Sequence, residues 1–112
     1  MTLSFSKTFP NNNVKVSFKE FEADSSNQIK LRNYLIDIEE SSPSDASIAV
    51  SIEKNGPHFK GTLQIFSQKK NFVEEHDSED VNRLMDQIFT RMGEKIQNWK
   101  KSRFKNIGEE IL

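Results

Sequence analysis

The 112-residue chain has no cysteine, which excludes a disulfide framework, a thiolate nucleophile and a sulfur-ligated metal site, and agrees with a reducing compartment such as the cytoplasm. Its four glycines, Gly56, Gly61, Gly93 and Gly108, are too scattered to cradle a phosphate, so nucleotide hydrolysis has no support. Apolar runs extend only a few residues, and the opening MTLSFSKTFPNNN lacks the basic start and apolar stretch of a signal peptide. There are two histidines: His58 lies beside a turn signal and His76 inside an acidic run. A metal site at Glu74, Glu75, His76 and Asp77 is disfavoured, because neighbouring side chains on a strand alternate faces and no His-x-x-x-His or Glu-x-x-His spacing occurs. The serines fall in turns, caps and outer strand positions without a base and an orienting group. The expectation is a protein that is not an enzyme, with no cofactor, no metal, no small-molecule substrate and no membrane partner.

What is present is a composition 34% hydrophobic and 29% charged, with nine phenylalanines. It suits one small domain that fills a limited core with aromatic bulk. The formal charge of −1 conceals a segregation of signs. Glu74 to Asp80 holds five acidic residues and no Lys or Arg, whereas Arg91 to Lys105 holds six basic residues against one acidic, a net +5. Net charge alone therefore does not exclude nucleic acid.

Residues 1–13 alternate weakly and reach Pro10 and three asparagines, which predicts an arm or an extra strand. Val14, Val16 and Phe18 alternate with Lys15, Ser17 and Lys19 as in a half-buried strand ending near Glu20. Asp24, Ser25 or Ser26 caps a helix whose apolar face is Leu31, Tyr34, Leu35 and Ile38, and Pro43 follows its end. ASIAVSIE and FKGTLQIF alternate as two strands, and Pro57 after Asn55-Gly56 predicts a connection of four or five residues. Another strand includes Asn71 to Glu75. From Asp77 onward, Val81, Leu84, Met85, Ile88, Met92, Ile96 and Trp99 form a helical stripe capped by Asp77 or Ser78. Gly93 inside it hints at close packing or a bend. The resulting fold is an α+β, β-α-β-β-β-α two-layer sandwich, with a four-stranded mixed sheet and both helices on one face. The domain spans 14–105, and 106–112 form a C-terminal tail.

The candidate chemistry is the basic end: Arg91, Lys95, Lys100, Lys101, Arg103 and Lys105, with Lys69 and Lys70 from a turn, as phosphate contacts. The alternative is that these cations solubilise a helix end and complement its dipole. Trp99 packs in the core, or else stacks on a base.

IAVSIEKNGPHFKGTLQIF resembles the second-strand hairpin of the short ribosome hibernation-promoting factors, also called ribosome-associated inhibitor or sigma-54 modulation proteins. NFVEEHDSEDVNRLMDQI is similar to their fourth strand and acidic helix start, with Asp80 and Asp86 at the family's spacing, and a helix ending in lysines follows. The resemblance implies a domain like the double-stranded RNA-binding domains, placed in the channel of the small ribosomal subunit. There it contacts ribosomal RNA phosphates and inhibits translation under stress or in stationary phase, as a monomer off the ribosome. Arg91 and Lys100 stand where the family commonly has basic residues, Lys95 and Lys101 lie beside them, and Lys60 matches a basic position early in the third strand. Lys30 and Arg32 are the candidates on the first helix. The sequence departs from the pattern at Asn82, Glu94, Gln97 and Asn98. No second domain follows NIGEEIL, so the dimerisation module of the long factors is expected to be absent.

Two rival expectations remain: a protein-protein interaction module using the acidic patch from Glu74 to Asp80, and a general double-stranded RNA binder. A continuous positive face across both helices is expected for ribosome binding. A patch confined to the C-terminal tip favours the protein partner.

Overall fold

Alternation on the strands and a three-and-four spacing on the helices decide the layers of the domain. The computed structural model describes the backbone of residues 2–4 and 13–111, and the side chains of residues 14–102. The elements are β1 (Thr2–Ser4), β2 (Asn13–Lys19), α1 (Ser25–Ser41), β3 (Ser47–Asn55), β4 (His58–Phe66), β5 (Phe72–Ser78) and α2 (Val81–Ile111). The strands lie in chain order across one sheet. β2 and β3 are parallel, joined through α1, and the other neighbours are antiparallel. The expected β-α-β-β-β-α unit is present as β2 to α2, and β1 adds a fifth strand at one edge. The rest of the 1–12 segment lies outside the described residues.

One face of the sheet is apolar. Val14, Val16 and Phe18 of β2, Ile48, Val50 and Ile52 of β3, and Leu63 and Ile65 of β4 are all buried, beneath Leu31, Leu35 and Ile38 of α1 and Leu84, Met85, Ile88, Met92 and Ile96 of α2. Each such side chain removed from water contributes about 1.5–3 kcal/mol. The opposite face carries Lys15, Ser17, Ala49, Ser51, Thr62 and Gln64, which line a shallow uncovered concavity. The two helices run parallel: Lys30 reaches Asn82 and Asp86 near the start of α2, and Ser41 shares a groove with Gly93 and Gln97 further along.

Several local details differ from the sequence expectation. The β3–β4 hairpin closes with Asn55 opposite His58, a two-residue turn through Gly56 and Pro57 rather than a four- or five-residue one. Gly56 has φ +63° and the proline ring holds φ near −65°. That pair of signs is the type II′ turn that suits hairpin twist, so proline fits the second central position. The cap of α2 is Asp80, not Asp77 or Ser78: its Oδ1 accepts from the Asn82 amide at 2.8 Å, and its carbonyl accepts from the Leu84 amide. Asp24 caps α1 as expected, accepting from the Asn27 amide at 2.8 Å.

Gly93 packs against nothing, since a Cβ there would meet no atom within 4 Å. The close approach occurs instead at Gly61 on β4, where a Cβ would lie 2.5 Å from Ile88 Cδ1 and 3.1 Å from Leu84 Cδ2. Glycine at that point lets α2 sit down on the sheet. β2 ends at Lys19 because Glu20 turns left-handed, φ 65°, and Phe21 folds back edge-to-face against Phe18 and Phe59. The backbone of residues 106–111, expected as a tail, continues α2. No proline follows Pro57 to stop it.

Candidate nucleic-acid interface

β5 runs antiparallel to α2, so the β4–β5 turn and the later turns of α2 meet at one end of the domain. That turn is tightly held. The Ser67 hydroxyl donates to the Lys70 carbonyl at 2.7 Å and accepts from the Lys70 amide at 3.0 Å, while the Asn71 side chain accepts from the Ser67 amide. The Gln68 amide donates to Asp45 at 2.9 Å, tying the turn to the α1–β3 connection. Lys69 and Lys70 are exposed on it, and Lys70 lines a groove with Phe72, Lys95, Asn98, Trp99 and Ser102. Lys101 faces the other side of α2, in a groove with Ser41, Gly93 and Gln97. Lys69, Lys70, Lys100 and Lys101 make no ion pair among the described residues, and neither does Arg32 on α1.

The remaining sequence candidates are engaged with carboxylates. Lys30 pairs with Asp86 at 3.0 Å and Arg91 with Glu94 at 3.3 Å. Lys60 lies on the open face of the sheet, away from the helices, and pairs with Glu75 at 2.7 Å. Lys19, Glu53, Lys60 and Asp77 form one row across β2 to β5. The hydrogen bond and charge of Glu75, with Glu53 and Asp77 nearby, push the Lys60 pKa up. Lys60 is thus not brought together with the helix lysines. The side chain of Arg103 lies outside the described residues, as does that of Lys105. Among the described residues, four unpaired cations, Lys69, Lys70, Lys100 and Lys101, lie at the end where the β4–β5 turn meets the later turns of α2, while Lys15, Lys19, Arg32, Lys54 and Arg83 are unpaired elsewhere, and no continuous positive face joins both helices. Acidic groups at Asp86 and Glu94 interrupt the face between them.

Two polar clusters escaped the sequence reading. Glu74 and His76, two apart on β5, point to the same face, and His76 Nε2 meets Glu74 Oε1 at 2.6 Å. The Lys95 ammonium pairs with the other Glu74 oxygen and donates to the Val73 carbonyl at 2.6 Å. Burial pushes the Glu74 carboxyl up, but hydrogen bonds from Lys95 and His76 outweigh it and hold the group below its ordinary range. With Glu74 ionised, the His76 ring nitrogen is the donor. The period-2 spacing of residues 74 and 76 was the available signal. Lys95 is invisible to it because it arrives from α2.

The second cluster joins the helices. The Tyr34 hydroxyl donates to Asp86, which also takes Lys30, and the Tyr34 ring stacks on Phe89 with centroids 4.9 Å apart and planes 3° from parallel. Burial, followed by the Asp86 hydrogen bond and charge, raises the Tyr34 pKa to about 12. Asp86 is held below its ordinary range, chiefly by the Tyr34 hydrogen bond and then by Lys30. Trp99 is partly buried and meets Phe72 edge-to-face at 5.7 Å, so it belongs to the core on one side and to the groove on the other.

Among the described residues no group of three or more histidine, aspartate and glutamate side chains is placed to hold a metal ion, and no helix is long and apolar enough to cross a membrane. No protein-family model matches the chain, and no curated protein matches it in sequence. Solved structures do match. The N-terminal domain of Protein Y from Thermus thermophilus superposes with a TM-score of 0.64 at 10% identity, covering 75% of this chain and 94% of that one. A ribosomal subunit interface protein from Coxiella burnetii superposes with a TM-score of 0.67 at 8% identity, covering 79% and 97%. The chain has the fold shared by the Thermus Protein Y domain and the Coxiella ribosomal subunit interface protein.

Proposed function

We propose that this protein is a non-enzymatic, ribosome-associated factor that binds RNA of the small subunit and inhibits translation under stress. The carrying observation is the fold likeness to a ribosomal subunit interface protein over nearly the whole length of that chain. The surface that fits the role is the end bearing Lys69, Lys70, Lys100 and Lys101, whose ammonium groups are not neutralised by neighbours among the described residues. Phosphate binding requires only such cations held at the right place, and no reacting group. Lys30, Arg91 and Lys95 share their charge with Asp86, Glu94 and Glu74, and Lys60 faces away.

The interruption of the positive face between the helices, among the described residues, is what favours the rival reading, a protein partner on the acidic patch. That patch is largely spent internally, however. Glu74 pairs with His76 and Lys95, Glu75 with Lys60, and Asp80 caps α2. Only Asp77 and Glu79 remain as open acids, too few for the patch to be the stronger surface.

Cosedimentation with isolated small subunits tests the proposal. Association at low salt is expected, weakening steeply as salt rises through counterion release. The Lys100→Glu/Lys101→Glu variant should lose most of it while keeping the wild-type circular dichroism. No association of the wild-type protein at low salt sinks the proposal, and unchanged binding of the variant sinks the assigned surface. Capture of a protein partner that survives nuclease treatment and is lost on Asp77→Asn/Glu79→Gln would instead establish the acidic-patch reading.

A further inference from the structure

The face of the sheet turned away from the helices is ordered by charge from side to side. On β2 it is basic, with exposed Lys15 and Lys19, and on β5 it is acidic, with exposed Glu75 and Asp77. Between them Ala49 and Ser51 of β3 and Thr62 of β4 keep the surface low, around a concavity of about 400 Å3. At the β4–β5 turn the same face bears Phe66 and Val73, 43% and 45% exposed, two of the three large hydrophobic residues exposed among the described residues. Val73 lies opposite Gln64, and Phe66 is two residues further along β4, so the two are diagonal neighbours. Apolar knobs thus stand beside a hollow on one surface.

Such a surface is complementary to itself. Two sheets can stack aligned, about 10 Å apart, around a two-fold axis that runs either across the strands or along them. An axis across the strands sets β2 on β2 and β5 on β5, with lysines against lysines and acids against acids. An axis along the strands, between β3 and β4, sets β2 of one copy over β5 of the other and preserves the rows of the register. Lys19, Glu53, Lys60 and Asp77 share one row, so Lys19 faces the second copy's Asp77, and Glu53 faces its Lys60. Further along, Ser51 faces Thr62, Ala49 faces Gln64, and Ser47 faces Phe66, each smaller side chain meeting a larger one. The Lys15 stem covers Val73, which leaves its ammonium in water. The offset of about 30° between aligned sheets falls within the reach of the long side chains at the sides.

We propose that this face joins two copies of the chain in a symmetric sheet-on-sheet dimer whose axis runs along the strands. Charge selects the arrangement, and area sets its strength. Four strands of at least seven residues cover roughly 450 Å2 at the usual strand spacing and rise. Twice that, ~900 Å2, belongs to weak and transient association rather than to an obligate dimer. The pair therefore forms at high protein concentration and separates on dilution, in place of the strict monomer that the sequence resemblance implies. Both helices stay uncovered, and the axis brings Lys69 and Lys70 of the two copies to the same end. The dimer does not depend on the ribosome reading.

Sedimentation velocity of the whole chain, in a series up to about 1 mM, should show reversible monomer–dimer exchange that weakens as salt rises. Asp77→Lys and Lys19→Glu, both at exposed positions, each turn two symmetric attractions into repulsions and should weaken self-association about tenfold. Mixing the two variants restores opposite charges at both contacts, so a heterodimer of near wild-type affinity should form although each variant pairs poorly with itself. Ala49→Arg fills the hollow without altering a charge pair and should also prevent dimerisation, which keeps the test decisive where a charge variant loses the wild-type circular dichroism. Self-association indifferent to Asp77→Lys and Ala49→Arg overturns the proposal, as does a mixture no better associated than its components. A chain that stays monomeric at about 1 mM overturns it too, and leaves this face to a different protein or to RNA.

Discussion

Tyr34 is the only tyrosine in the chain, so its ionisation is readable at a single site from the ultraviolet absorbance of tyrosinate. Its folded pKa is raised from 10.0 to about 12 by burial first and by Asp86 second. Two units at about 1.36 kcal/mol each set an upper bound of about 2.7 kcal/mol, which partial exposure of the ring and solvent screening reduce to roughly 1–2 kcal/mol. The folded pKa lies above the unfolded one, so the fold favours the neutral phenol. This contribution is complete below pH 10, declines as the pH rises towards 12, and is absent beyond it. Alkaline titration of the native protein should therefore show a tyrosinate step displaced upward from that of the urea-unfolded chain, with denaturant stability falling over the same interval. Asp86→Asn removes the acceptor charge but not the burial, so it should move the step only part of the way back. An ordinary pKa for Tyr34 in a protein still folded by circular dichroism would refute the reasoning. So would full restoration by Asp86→Asn, because it would make burial irrelevant.

The glycines offer an opposed pair. Gly93→Ala should raise stability by about 1 kcal/mol, or about 4 °C in Tm, because helix propensity improves and the new methyl meets open space. Gly61→Ala should lower it by about 1–2 kcal/mol, since its Cβ would sit 2.5 Å from a buried Ile88 methyl. Thermal melts of both variants settle the matter, and a Gly61→Ala protein as stable as wild type would show that α2 shifts freely. Glu20→Gly should stabilise by about 1 kcal/mol in urea unfolding, because the left-handed backbone at that exposed residue disfavours a side chain.

Periodicity made the layers legible. Val14, Val16 and Phe18, then Ile48, Val50 and Ile52, repeat every two residues and point to the helices, and the Leu31–Leu35–Ile38 stripe meets the α2 stripe as its spacing implies. Pairing across elements was not legible. Nothing along the chain says that Asp86 lies beside Tyr34, or that Lys95 will be held by Glu74, because those neighbours are set by where α2 lands on the sheet. For the same reason a run of lysines read as one charged surface divides, in three dimensions, into residues consumed by carboxylates and residues left open. Gly93 misled because a helical glycine suggests a contact, whereas the contact is made at Gly61, where the glycine sits in a strand.

The parallel course of the two helices has an electrical consequence. Asp24, Asp77, Glu79 and Asp80 lie at the end where both helices begin, and Lys69, Lys70, Lys100 and Lys101 lie at the end where β5 starts and α2 runs on. A chain of formal charge −1 therefore carries its charges unevenly along the helices, although Lys19, Lys54 and Arg83 at the acidic end and Asp45 beside the β4–β5 turn reduce the difference. Near a polyanion it has no net attraction at long range, and the asymmetry that remains supplies a weak torque turning the lysine end forward. Orientation of this kind raises the rate of encounter more than the affinity, and it fades once the separation exceeds the screening length of the surrounding salt.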